Sequence, residues 1–285
     1  MTWHATSDIH EFEGAAREFL LADPVRNTVL LTVLESLRAS GPTAYGDTPA
    51  SFGWYRDSDS DSASGSGSGS EVRGAFLRTP PMPALVSDAP EHAVQALADV
   101  LAGVPGLSGP DSSTTAFAEA WRAAGRHATV ASNRRLFRLA ELTPPEPAPK
   151  GRARLVTDGD RELLIEWFSA FGTDVGEPIA DPARAVDRRL ANGELLLWEV
   201  DGVPVAMAGT TTPVAGVARV APVYTPAPLR GRGYAGAVTA AVSRRSLDTG
   251  YQVVLYTDMA NPTSNALYQR LGYRPIGQWS ELKLA

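Results

Sequence analysis

The sequence predicts an α/β chain built on mixed sheet, and three observations carry that prediction. Strand-like and helical periodicities alternate along the whole length. A strand-like run, Val217 to Thr225, leads through a glycine-rich turn into an Ala/Val-rich helical run, Ala235 to Leu247. Between them and the first half lies Leu142 to Gly151, with four prolines in ten residues. Such a stretch is a stiff, extended connector that fits neither a sheet centre nor a helix interior. It divides the chain into residues 1–141 and 152–285. At 285 residues and 44% hydrophobic content, there is enough chain for two cores.

The elements follow in order. Apolar residues at helical spacing mark Ile9 to Ala22 and Asn27 to Ala39 as helices. Ser51 to Tyr55 and Gly74 to Thr79 read as strands, and Glu91 to Ala102 and Ser113 to Ala124 as helices. Between the two strands, Ser58 to Ser70 is a Ser/Asp/Gly tract too polar to pack, expected to be a disordered hairpin loop. Past the connector, Ala153 to Val156 reads as a strand. Asp160 to Phe171 then places Leu163, Leu164, Trp167 and Phe168 on one helical face. Asp181 to Asn192 is a second helix, stopped by Gly193. Glu194 to Val200 and Val203 to Thr210 form a hairpin across the strong turn pair Asp201-Gly202. Tyr251 to Met259 and Tyr273 to Leu284 are the last strands, with a helix between them.

Composition narrows the function. The net charge is −6, and Lys+Arg against Asp+Glu is 12 to 18 over residues 1–150 and 14 to 14 over 151–285. Neither half has the basic excess of a nucleic-acid binder. Lysine occurs only at Lys150 and Lys283, a compositional preference for arginine. With no cysteine there is no disulfide scaffold, thiol nucleophile or Cys-based zinc site, and no metal site is expected. No apolar run reaches a membrane span, and the first residues do not read as a signal peptide. A cytoplasmic protein is the expectation.

The turn Arg230-Gly231-Arg232-Gly233-Tyr234-Ala235-Gly236 is the most informative local feature. Glycines between strand and helix admit positive φ and close approach of backbone to ligand. The first N–H groups of the helix then converge on one point at the positive end of its dipole, which suits a pyrophosphate. Arg230 and Arg232 add charge there. Spacing separates the possible phosphate loops. A P-loop needs a lysine after the glycines, and none follows. Gly231 to Gly236 does match G-x-G-x-x-G, but a dinucleotide site follows its strand at once and opens a βαβ domain. Here Pro226 and Pro228 intervene.

The remaining spacing, Arg-x-x-Gly-x-Ala over Arg230 to Ala235, resembles the acyl-CoA loop of the GNAT superfamily of N-acyltransferases. A second segment, Asn261-Pro262-Thr263-Ser264-Asn265-Ala266-Leu267-Tyr268-Gln269-Arg270-Leu271-Gly272-Tyr273, resembles that family's Asn-x-x-Ala/Ser-x-x-Leu-Tyr-x-x-x-Gly-Phe/Tyr. The resemblance covers residues 152–285 and implies a GNAT fold there. In the first half the element order is similar but the glycine loop is lacking, which implies a degenerate GNAT-like domain, as in tandem members such as mycothiol synthases.

The resemblance further implies acetyl-CoA as cosubstrate and a small-molecule or peptide amine as acceptor. Cosubstrate contacts are then expected from Val223, Tyr224 and Thr225 at a bulged strand end. Others are expected from Arg230, Gly231, Arg232, Gly233, Tyr234, Ala235 and Gly236 in the turn, and from Asn261 and Ser264 on the next helix. Tyr268 falls at the family's general acid, with an ordinary phenol pKa near ~10. Residues 151–285 contain neither His nor Cys, so direct attack by a neutral amine is the mechanism this composition permits. Asp174 and Glu177 are the carboxylates on the acceptor side, and base action through ordered water is the alternative. A second reading keeps CoA binding without catalysis, as a sensor or partner module. The acceptor and the oligomeric state stay open.

Overall fold

The computed structural model describes residues 2–57, 71–101 and 103–285. The Ser58 to Ser70 tract, expected as a disordered loop, lies outside the described residues. Two compact units divide the chain: residues 1–136 with 258–260 and 277–285, and residues 137–257 with 261–276.

The first unit begins with β1 (Thr2–Thr6), α1 (Ile9–Ala22) and α2 (Thr28–Ser40). Asp8 caps α1, its carboxylate accepting from the His10 amide at 2.8 Å, a contact worth about 1 kcal/mol. Next come β2 (Ser51–Arg56), β3 (Val72–Arg78), β4 (Ala84–Val86), α3 (Glu91–Val100), β5 (Gly106–Pro110), α4 (Asp111–Ala123) and β6 (Ala128–Leu139). β1 to β4 pair antiparallel in sequence, and β4 meets β5 in parallel. The core beneath holds Trp3, Tyr55, Phe76, Leu97, Leu107, Phe117 and Trp121. Each such side chain contributes roughly 1.5–3 kcal/mol of burial.

The second unit starts at β7 (Arg152–Leu155) and continues with α5 (Arg161–Asp174), α6 (Pro182–Ala191), β8 (Leu195–Val200), β9 (Val203–Thr210) and β10 (Val217–Tyr224). α7 (Tyr234–Asp248), β11 (Gln252–Asp258), α8 (Pro262–Arg270) and β12 (Tyr273–Leu284) complete the chain. The end of β12 belongs to the first unit, where Trp279–Lys283 pair antiparallel with β5. Strand and helix therefore follow in one order twice, β-α-α-β-β-β-α-β-α-β. The C-terminal fold expectation and the mixed sheet stand as the sequence predicts.

Four strands of the first half have no counterpart in the sequence expectations: β1, β4, β5 and β6. β4 is only three residues, between Pro83 and Ser87, and β5 reads Gly-Leu-Ser-Gly-Pro. Strands that short or that rich in glycine carry almost no period-two signal. β6 is 12 residues long but has Asn133-Arg134-Arg135 at its centre. The hairpin of β8 and β9 turns at Asp201 and Gly202, with φ of 50° and 80°, as a two-residue turn requires.

In the second unit α7 packs on β7 to β10. Its inward residues Val238, Ala240 and Val242 join Phe137, Leu196, Val220, Val253, Leu255, Tyr268 and Tyr273 in one core. A separate cluster, Leu164, Trp167, Phe168, Val186, Leu195, Leu197 and Met207, holds α5 and α6 to the sheet. α5 is anchored at its start by Asp160. That carboxylate accepts from Arg154 at 2.7 and 2.8 Å and from the Thr157 amide at 2.8 Å. Hydrogen bonds from Arg154 hold its pKa down at about 2, against the opposing effect of burial.

Candidate active site

The site begins where β10 leaves β11. Their parallel register runs only from Val217–Arg219 against Gln252–Val254, although β10 continues to Tyr224 and β11 to Asp258. On its other side β10 keeps pairing with β9, through a bulge between Val220 and Val223. Pro222 lies inside that bulge, and it lacks the donor a regular ladder would use. Val223 and Tyr224 thus sit at the open end of a strand pair, half-buried. A gap of this kind leaves backbone donors and acceptors free for an extended amide-bearing ligand.

The glycine turn follows at once. Gly231 and Gly233 take φ of 76° and 85°, and Gly233 is the residue that caps α7. Residues 231–233 are exposed and lead directly into the first turn of α7, the positive end of its dipole. Tyr234 and Ala235 are half-buried; the Tyr234 ring packs against the core of the second unit. Gly236 is buried, and a Cβ there would lie 3.1 Å from Leu267 and 3.3 Å from Pro145.

The two arginines of the turn behave differently. Arg230 is drawn sideways: its Nε donates to the Thr225 carbonyl at 2.9 Å, and its Nη2 donates to the Asp174 carboxylate. Its guanidinium carbon sits 6.0 Å from the Tyr224 ring centroid. Arg232 is exposed and makes a 3.3 Å contact with the Pro228 carbonyl. The Asp174 pairing was not legible in the sequence, since the two residues are 56 positions apart. Glu177 lies in the exposed turn after α5.

α8 supplies the rest. Asn261 caps it, its side-chain oxygen accepting from the Ser264 amide at 3.0 Å, and Pro262 occupies the first turn. The Asn261 carbonyl accepts from Asn265 Nδ2 at 2.7 Å. The Asn261 side-chain oxygen is thus engaged by the helix, and its amide NH₂ is the side-chain donor not used by the cap. Ser264 is half-buried. Tyr268 is 9% exposed, shares the core with Val220 and Leu255, which flank the strand opening, and meets Tyr273 edge-on at 6.0 Å. Burial pushes its pKa up to about 12, above the ordinary phenol value the sequence suggests. Its hydroxyl has no hydrogen-bond partner among the described residues. By contrast Tyr273 shares its hydroxyl with Ser243 at 2.7 Å.

An open strand pair, a positive-φ glycine turn on a helix N-terminus and a buried phenol come together in the second unit. Residues 161–273 match the acetyltransferase (GNAT) family, and that stretch is a GNAT acetyltransferase domain. The general chemistry of the family is acyl-CoA-dependent N-acetyl transfer to an amine acceptor, typically from acetyl-CoA. Among solved structures, a GCN5-related N-acetyltransferase from Sphaerobacter thermophilus aligns with a TM-score of 0.64 and 18% identity, covering 99% of this chain and 95% of its own. A GNAT-family acetyltransferase from Colwellia psychrerythraea aligns at 0.59 and 10%, covering 100% and 99%. A GCN5-related N-acetyltransferase from Kribbella flavida aligns at 0.53 and 20%, covering 74% and 86%. At these identities the likeness is one of fold. No curated protein matches the sequence. Among the described residues, no helix is long and apolar enough to cross a membrane.

Proposed function

We propose that the chain transfers an acetyl group from acetyl-CoA to a primary amine by direct attack, with Tyr268 as general acid and the first half a degenerate GNAT-like domain. The observation that carries this reading is the parting of β10 from β11 directly beside the Gly231–Gly233 turn. The pantetheine would lie against the backbone of Val223, Tyr224 and Thr225, and the diphosphate against the amides of residues 231–236.

In this reading the amine nitrogen bonds to the thioester carbonyl carbon, the C–S bond breaks, and the nitrogen loses a proton to base or water. The sulfur leaves as a thiolate that needs a donor. Tyr268 stays protonated across the physiological range, because burial disfavours its phenolate. Its unengaged hydroxyl is suited to hydrogen-bond that thiolate. A phenol with so high a pKa acts by shared hydrogen bond more than by early, complete proton transfer. Asp174 is held by Arg230, which favours ordered water over Asp174 as the base.

The test is a thermal-shift series with acetyl-CoA, CoA, NAD and ATP. Acetyl-CoA should raise Tm in a concentration-dependent way while NAD does not, because a ligand of the folded state alone adds stability by mass action. An equal shift with NAD would sink the assignment.

A further inference from the structure

The connector residues 142–151 do more than join two halves of the sequence. The Thr143 amide donates to the Leu271 carbonyl at 3.0 Å, which fixes one end beside α8. The other end is fixed where the Trp198 indole donates to the Lys150 carbonyl at 2.9 Å, immediately before β7. Between these anchors the chain passes the first turn of α7. A Cβ at Gly236 would meet Pro145 at 3.3 Å, and a Cβ at Gly233 would meet Pro149 at 3.6 Å. Two prolines thus wall the glycine turn from one side, with φ already fixed and little entropy left to lose.

Lys150 follows Pro149 directly. It is exposed and forms no ion pair among the described residues. Consecutive Cα atoms are about 3.8 Å apart and a lysine stem spans roughly 6 Å. The turn therefore lies within reach of its ammonium, one residue beyond the proline that borders Gly233. Charge accounting gives it a task. Of the two arginines in the turn, Arg230 is neutralised by Asp174, which leaves Arg232 as the one unpaired cation of the turn itself. A diphosphate brings about two negative charges. Glu146, also exposed in the connector, works in the opposite sense. We propose that Lys150 is a cosubstrate-binding residue, a cation carried by the connector to the diphosphate of the acyl-CoA. This rests on the acetyl-CoA reading above.

The scarcity of lysine makes the test clean. N-hydroxysuccinimidyl acetate labels amines, and Lys150 and Lys283 are the two lysines of the chain. Saturating CoA should protect Lys150 and leave Lys283, exposed on β12, labelled as before. Affinity is then measured for Lys150→Ala and Lys150→Arg. The alanine variant should bind acetyl-CoA roughly 10-fold more weakly, the range of a charge-assisted contact, and the arginine variant close to wild type. Dephospho-CoA, which keeps the diphosphate, should show the same penalty, and acetyl-pantetheine, which has no phosphate, none. A penalty seen with CoA but not dephospho-CoA would move Lys150 to the 3′-phosphate and overturn the diphosphate assignment. Unprotected Lys150 with unchanged alanine-variant affinity would overturn the proposal while leaving acetyl-CoA binding intact. A wild-type protein that acetyl-CoA does not stabilise would sink both readings.

Discussion

Arg230 and Asp174 form an ion pair that ties the turn before α7 to the C-terminal end of α5. About half of each side chain is exposed, 51% and 45%, so the pair contributes at most ~1 kcal/mol to stability. Its value is geometric. The same guanidinium holds the Thr225 carbonyl, just past the end of the opened strand.

Asp174→Asn separates the positioning role of that carboxylate from a role as general base. Loss of the base would lower kcat by about 10²–10⁴ and remove a limb of its pH profile. Loss of a tether should leave kcat within about threefold and raise KM, since the strand end and turn become less ordered. The second pattern is expected, read from pH-rate profiles of wild type and variant at saturating acetyl-CoA.

Gly233→Val tests the turn itself. At φ 85° a β-branched residue is strained, and its Cβ would approach Pro149. A folded variant, with unchanged far-ultraviolet circular dichroism, should lose acetyl-CoA binding by calorimetry by at least about 100-fold. Retained affinity in such a variant would place the diphosphate elsewhere.

The sequence shows the second unit far better than the first, for a physical reason. A ligand-binding backbone demands particular residues at fixed offsets, whereas a packed strand demands only shape. β10, the turn, α7 and α8, which the proposed function assigns to the acyl-CoA, carry residue patterns of the first kind and could be read in order. β5 carries the second: Gly106 and Gly109 are there because a Cβ would strike Leu282 and Val86. Partners distant in sequence were equally hidden. Nothing local to Arg230 signals Asp174, and nothing local to Pro149 signals Gly233. Asn261 was readable as a position, but its use as the cap of α8 depends on where Ser264 falls once the helix forms.

Asp160→Asn tests the anchor of α5. The folded pKa is lowered to about 2 from an ordinary 3.8, so the contribution is present above pH 4 and lost as pH falls toward 2. That lowering corresponds to on the order of 2 kcal/mol. Denaturant unfolding at pH 7 should show a loss of roughly 1–3 kcal/mol for the variant. The gap to wild type should narrow between pH 4 and pH 2; a gap independent of pH would assign the loss to packing.

Tyr268→Phe keeps the ring in its core and removes the hydroxyl. Acetyl-CoA affinity and fold should survive, because the hydroxyl has no partner among the described residues to lose. Turnover should fall by about 10²–10⁴ if that hydroxyl serves the departing thiolate. Alkaline unfolding gives an independent readout. The folded pKa, raised to about 12 from 10.0, means the unfolded chain releases this proton first. Stability from Tyr268 is thus complete below pH 10 and is lost as pH rises toward 12. The phenylalanine variant should lose less stability across that window than wild type, by up to one proton in the slope. Wild-type turnover in a chemistry-limited assay, together with the altered alkaline slope, would show a buried phenol that packs without catalysing.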